Sequence, residues 1–128
     1  MNEVKEEKRR FNRVPFSYND EIIGSFIGPD GREKFKAHIL NFSIQGLYFT
    51  LKKDEKMLNE SEKLVLIEIK GLREEVFILN IEMEIRRVLN YDELLHLGYG
   101  CKFLTFPESS KEQIRRFLEM WFLEGRTS

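Results

Sequence analysis

Phe77-Ile78-Leu79-Asn80-Ile81-Glu82-Met83-Glu84-Ile85 sets Phe77, Leu79, Ile81, Met83 and Ile85 at every second position over nine residues. A period of two belongs to a β-strand with one buried face, and nine positions are enough to cross a curved sheet or the wall of a barrel. Upstream, Leu64–Ile69 is strand-like and ends at a turn marked by Gly71; downstream, Asn90-Tyr91-Asp92 leads into a return strand, Leu95–Phe103. Gly98 and Gly100 lie inside that strand, where glycine signals a bulge, a bend or a close approach of backbone.

The same texture extends toward the N-terminus. Ile22, Ile23, Phe26 and Ile27 precede Gly28-Pro29-Asp30-Gly31, a turn signal, after which Phe35, Ala37 and Ile39 alternate with Lys34, Lys36 and His38. Asn41 is expected to end that strand. Leu47–Leu51 forms the next, and Lys52–Glu62 is a polar connection with little core signal. Toward the C-terminus, Pro107-Glu108-Ser109-Ser110 resembles a helix entry. Ile114, Phe117, Leu118, Trp121 and Phe122 then form one apolar helical stripe, closed by Gly125. About six strands joined by short links and one terminal helix predict an all-β chain, an antiparallel β-barrel with a C-terminal helix, because parallel strands would need long crossovers.

With 128 residues, 41% hydrophobic content and eleven Phe, the chain can build one domain with a real core. Residues 13–128 are assigned to it. Residues 1–12 are polar, mix acids with bases and lack periodicity, so they are expected to form a flexible arm. The 21 Lys and Arg nearly cancel the 22 Asp and Glu, so no global basic field attracts long nucleic acid. No signal-peptide pattern and no long apolar run is present, and Cys101 is the single cysteine. A cytoplasmic location without membrane insertion is therefore expected. His38 and His96 are the only histidines, and metal-ligand spacing, a P-loop and a third glycine after Gly98-x-Gly100 are all missing. The chain is expected to be neither an enzyme nor a carrier of a cofactor or metal.

Two polar elements remain. Arg9, Arg10 and Arg13 lie where the arm meets the first apolar strand residues. Guanidinium forks match phosphate oxygens and the O6/N7 edge of guanine, although such a triplet alone is more often a solvated basic tail than a site. Asn41-Phe42-Ser43-Ile44-Gln45-Gly46 follows at a strand end. Its short polar side chains can shape a turn or point outward to a ligand, while Gly46 permits a backbone angle that other residues resist. Such a turn occurs by chance in roughly one chain in twenty of this size, and a preceding Arg-x-x-x-Arg reduces that by about another order of magnitude.

Arg9-x-x-x-Arg13 followed by Asn41-x-Ser43-x-x-Gly46 resembles the paired motif of PilZ domains, bacterial receptors for cyclic di-GMP. The resemblance covers nearly the whole chain, including Gly98-Tyr99-Gly100-Cys101-Lys102-Phe103 and the closing helix, and no motif position is substituted. It implies a six-stranded PilZ-type barrel that binds cyclic di-GMP. Arg9 and Arg13 would clamp phosphates and guanine edges, Asn41 and Ser43 would hydrogen-bond guanine and phosphate, and Gly46 would shape the backbone. Arg10 is a further family-like position, and Lys8 precedes the first arginine, where the family sets one bound ligand against two. The receptor would signal to a downstream protein partner by ordering its arm, and homodimers are compatible with it. Its rivals are a PilZ-like adaptor acting through the aromatic helix and a small barrel binding single-stranded nucleic acid, which the near-neutral charge disfavours.

Overall fold

The structure of the protein, a computed structural model, describes residues 14–71, 73–90 and 95–125. Arg9, Arg10, Arg13 and the arm of residues 1–12 lie outside the described residues.

Six strands form the wall of a closed antiparallel barrel: β2 (Ile23–Ile27), β3 (Lys34–Phe42), β4 (Gly46–Lys52), β5 (Lys63–Lys70), β6 (Val76–Asn90) and β7 (His96–Phe103). The order is β3-β2-β5-β6-β7-β4, and pairing of β4 with β3 closes the ring, leaving these strands no free edge. A short strand absent from the sequence expectation, β1 (Val14–Pro15), lies outside the ring against the end of β3, pairing Val14 with Phe42 and Pro15 with Asn41. Two residues carry too little periodicity to be recognised without their partner.

Alternation governs each wall. Leu47, Phe49 and Leu51 of β4, Phe77, Leu79, Ile81, Met83 and Ile85 of β6, and Leu97, Tyr99, Cys101 and Phe103 of β7 are buried inside. The Gly28–Gly31 signal lies in a hairpin loop between β2 and β3, with Gly31 at φ +75° and Asp30 Oδ1 accepting the backbone N–H groups of Arg32 and Glu33 at 2.9 Å each. Those bonds hold the Asp30 carboxyl below its ordinary pKa. Two expectations need correction. The strand through Asn41 continues to Phe42, because β1 on one side and β4 on the other supply ladder partners there. The 52–62 connection also has a core anchor: Leu58 is buried and its N–H donates to the Tyr99 hydroxyl at 3.1 Å.

The helix α1 (Glu108–Met120) packs on β6 and plugs one end of the barrel. Ser110 is fully buried and its hydroxyl donates to the Leu79 carbonyl. Phe117 meets the rings of Phe77, Phe16 and Phe42 at centroid distances of 5.4, 5.8 and 6.0 Å. Trp121, at the start of a π-type turn (Trp121–Gly125), packs edge-on to Phe16 at 4.7 Å. The predicted stripe is thus largely used within the domain; Phe122 is its exposed member. Phe16 immediately follows β1, so the helix also pins the point where the arm enters. Phe117→Ala should lower the unfolding free energy by about 3–5 kcal/mol, as a shifted urea midpoint with little change in slope.

Candidate nucleotide-binding face

Strand registers place one row of residues across four strands on the outer wall. Asn41 is opposite Tyr48, Tyr48 opposite Gly100, and Gly100 opposite Arg87, while Pro15 of β1 pairs with Asn41 just outside the row. Directly opposed residues share a face, so the row lines the floor of an open groove of about 810 Å³.

Two β-bulges turn the polar residues outward. Ile39 faces the core, and strict alternation would bury Asn41 as well; the register shift between Ile39 and Asn41 makes Leu40 the extra residue and restores Phe42 to the inside. The Leu40 carbonyl accepts the Phe16 N–H at 2.8 Å, which ties the bulge to the segment behind β1. On β6 the shift between Ile85 and Arg87 acts in the same way, so Arg86 and Arg87 are both exposed although they are consecutive. Arg86 lies 3.3 Å from Glu84. Among the described residues Arg87 and Lys102 make no ion pair, although Glu84 is directly opposite Lys102.

The Ser43–Gly46 turn forms the groove's end. The Ser43 hydroxyl oxygen accepts the N–H groups of Gln45 and Gly46, both at 3.1 Å, and donates to the Gly46 carbonyl at 3.2 Å. The Ser43 N–H donates to that same carbonyl at 2.9 Å. Ser43 therefore builds the turn first. Gly46 is required for a reason different from the expected backbone angle: a Cβ there would lie 2.0 Å from the Cys101 carbonyl oxygen of β7. The half-buried Asn41 faces the groove beside the turn, its amide without a hydrogen-bond partner among the described residues.

The groups with catalytic potential are elsewhere. Cys101 lines the inner wall, and burial pushes its thiol up to about 12, far from a reactive thiolate. His38 is opposite Thr50 and His96 opposite Lys52, toward the end of β4 away from Gly46. Burial lowers the His38 pKa, with Glu21 acting in the opposite sense. Among the described residues no group of three His, Cys, Asp or Glu could hold a metal ion, and no helix is long and apolar enough to cross a membrane.

The PilZ domain family model matches residues 7–120. The chain belongs to the PilZ domain family. The match runs through the Arg9–Arg13 segment, the Asn41–Gly46 turn and the helix. Among solved structures, the barrel is similar to the PilZ domain with c-di-GMP of YcgR from Escherichia coli, at TM-score 0.72 and 15% identity, covering 90% of this chain and 92% of that one. It is similar to the Bacillus subtilis inhibitor of motility (MotI/DgrA) at TM-score 0.63 and 19% identity, covering 91% and 51%. The K. pneumonia MrkH–c-di-GMP complex matches at TM-score 0.64 and 16% identity, covering 89% and 51%. The chain spans about half the length of the last two proteins. No curated protein sequence matches significantly.

Within this PilZ domain the groove also brings together Tyr48, Arg86, Arg87 and Lys102, which the sequence reading did not single out. The one available signal was Arg86-Arg87, where the β6 alternation breaks. Gly46→Ala should destabilise the domain by at least about 2–3 kcal/mol in thermal or urea unfolding, since the overlap is with backbone and no rotamer relieves it.

Proposed function

We propose that this PilZ domain is a receptor for cyclic di-GMP, bound on the outer wall between the Asn41–Gly46 turn and the arm carrying Arg9, Arg10 and Arg13. The observation that carries the proposal is the pairing of Pro15 with Asn41, which delivers the chain following the arginines to the edge of the turn. Arg13 is one residue from Val14, about 3.8 Å between Cα atoms, and Arg9 is five, within about 18 Å even when extended. Both guanidinium groups can therefore reach a ligand beside Asn41 by covalent connectivity alone.

Each part has a chemical task in this reading. Arg9 and Arg13 close on phosphate and guanine edges with charge-assisted, forked hydrogen bonds, and Arg10 adds charge beside them. Asn41 offers an amide donor and acceptor to guanine. Ser43 keeps its two accepted bonds and transfers its donor from the Gly46 carbonyl, the longest of its bonds, to a phosphate oxygen. Gly46 keeps the turn against β7. Ligand affinity then comes from local charge, consistent with a chain whose net charge is only −1.

Signalling follows from the arm. Fixing each arm residue costs about 1–2 kcal/mol of conformational entropy, offset only when the ligand bridges the arm to the turn. An arm held this way presents a new surface to a protein partner. Ile44, exposed at the tip of the turn, and Phe106 also border a second, apolar groove with Ile114 and Leu118, so the proposed ligand site and a partner-sized apolar surface share these two residues.

Titration calorimetry with cyclic di-GMP should give saturable heat with the wild-type chain. Arg13→Ala and Asn41→Ala should weaken binding by at least about 100-fold and tenfold respectively, with Arg13→Ala leaving unfolding free energy within about 0.5 kcal/mol. No heat from wild type at tens of micromolar ligand would refute the assignment. Hydrogen exchange of residues 1–13 should slow on ligand addition; unchanged exchange with binding intact would remove the arm from the signalling step.

A further inference from the structure

Three glycines line or adjoin the outer row, and the fold explains only two of them. Gly46 admits the Cys101 carbonyl. Gly98 admits the ring of Tyr48, whose hydroxyl oxygen lies 1.6 Å from where a Cβ would be, so that ring lies along β7 over Gly98. Gly100 meets neither condition. A Cβ there would sit 3.6 Å from Arg87 Cβ and 3.9 Å from Tyr48 Cδ2, both ordinary contacts, and its φ lies outside the left-handed region. Glycine inside a strand weakens it and marks a bulge, a bend or the close approach of backbone or a ligand. The bulge opposite Gly100 has its extra residue, Arg86, on β6, which leaves ligand approach as the reading for Gly100 itself.

What surrounds Gly100 fits a planar base. Tyr48 forms one side of a slot and Arg87 the other, with Lys102 two residues along β7. Asn41 and Arg87 end the row three strand spacings apart, about 14 Å. A cyclic dinucleotide has two bases at opposite ends of one phosphodiester ring, so a ligand anchored at the Asn41 turn needs a place for its second base along this wall.

We infer that Gly100 and Arg87 form a second base subsite: the far base of the dinucleotide lies over Gly100 beside Tyr48, with its acceptor edge facing the Arg87 guanidinium. The inference rests on the cyclic di-GMP reading above and extends it to residues outside the arm and turn. Guanine presents O6 and N7 acceptors to such a fork, whereas adenine replaces O6 by an amino donor, so Arg87 sets selectivity for guanine.

Calorimetry with cyclic di-GMP and cyclic di-AMP on four proteins tests it: wild type, Arg13→Ala, Arg87→Ala and Gly100→Leu. Arg87→Ala should weaken cyclic di-GMP binding at least about tenfold and narrow the preference over cyclic di-AMP, with unchanged melting because the side chain is exposed. Gly100→Leu should fill the slot and reduce binding at least about 100-fold while the barrel still melts cooperatively. If Arg87→Ala retains wild-type affinity and selectivity while Arg13→Ala does not, the second subsite is overturned and the receptor assignment stands. If wild type binds neither dinucleotide, both fall. Arg87→Ala keeps the test independent of whether leucine at position 100 folds.

Discussion

Strand β4 reaches both of its neighbours only because residue 46 has no side chain. Its first residue lies against the Cys101 carbonyl of β7, and from there β4 runs between β7 and β3, closing the ring that would otherwise end in two open edges. The closed ring encloses the aromatic interior, Phe26, Phe42, Phe49 and Tyr99 among it. Helix α1 covers one end through Phe117, Ser110 and Trp121. The same contact fixes where the Ser43–Gly46 turn stands, so closure of the barrel and the position of the turn share one steric condition.

A barrel wall normally presents polar side chains outward at alternate positions, which separates them along each strand. Bulges at Leu40 and Arg86 alter that parity at the two ends of one row. They bring Asn41 to the surface and allow Arg86 and Arg87 to face the same groove. The bulge at Leu40 is also held from behind by the Phe16 N–H, and Phe16 packs on Phe117 and Trp121. Helix, β1 and the polar face are thus connected through a continuous set of contacts, and loosening the helix would reach the mouth of the groove.

Charge in this domain is arranged locally. Many of its carboxylates and cations neutralise one another on exposed surfaces, as Arg115 does with Glu112 and Glu119 on α1, where solvent makes such pairs worth little. Arg87 and Lys102 stand apart from that pattern, on the wall that also carries the turn. In the receptor reading proposed above, an anion with planar bases would be matched there by local geometry and charge.

Phe77–Ile85 by itself determined a long strand with one buried face, and the short links around it determined antiparallel pairing; periodicity is a local property, so it survives without coordinates. The Asn41–Gly46 turn and the helix stripe were legible for the same reason. Continuation of β3 past Asn41, the core role of Leu58, and the grouping of Tyr48, Gly100 and Arg87 were decided only by the tertiary structure. They depend on which strand lies beside which and on single-residue shifts in register, and neither is written in the spacing of one strand. Gly46 shows the division most plainly: the residue stood out in the sequence as a turn glycine, but the constraint it meets is a carbonyl 55 positions later in the chain, visible only once β4 and β7 are paired.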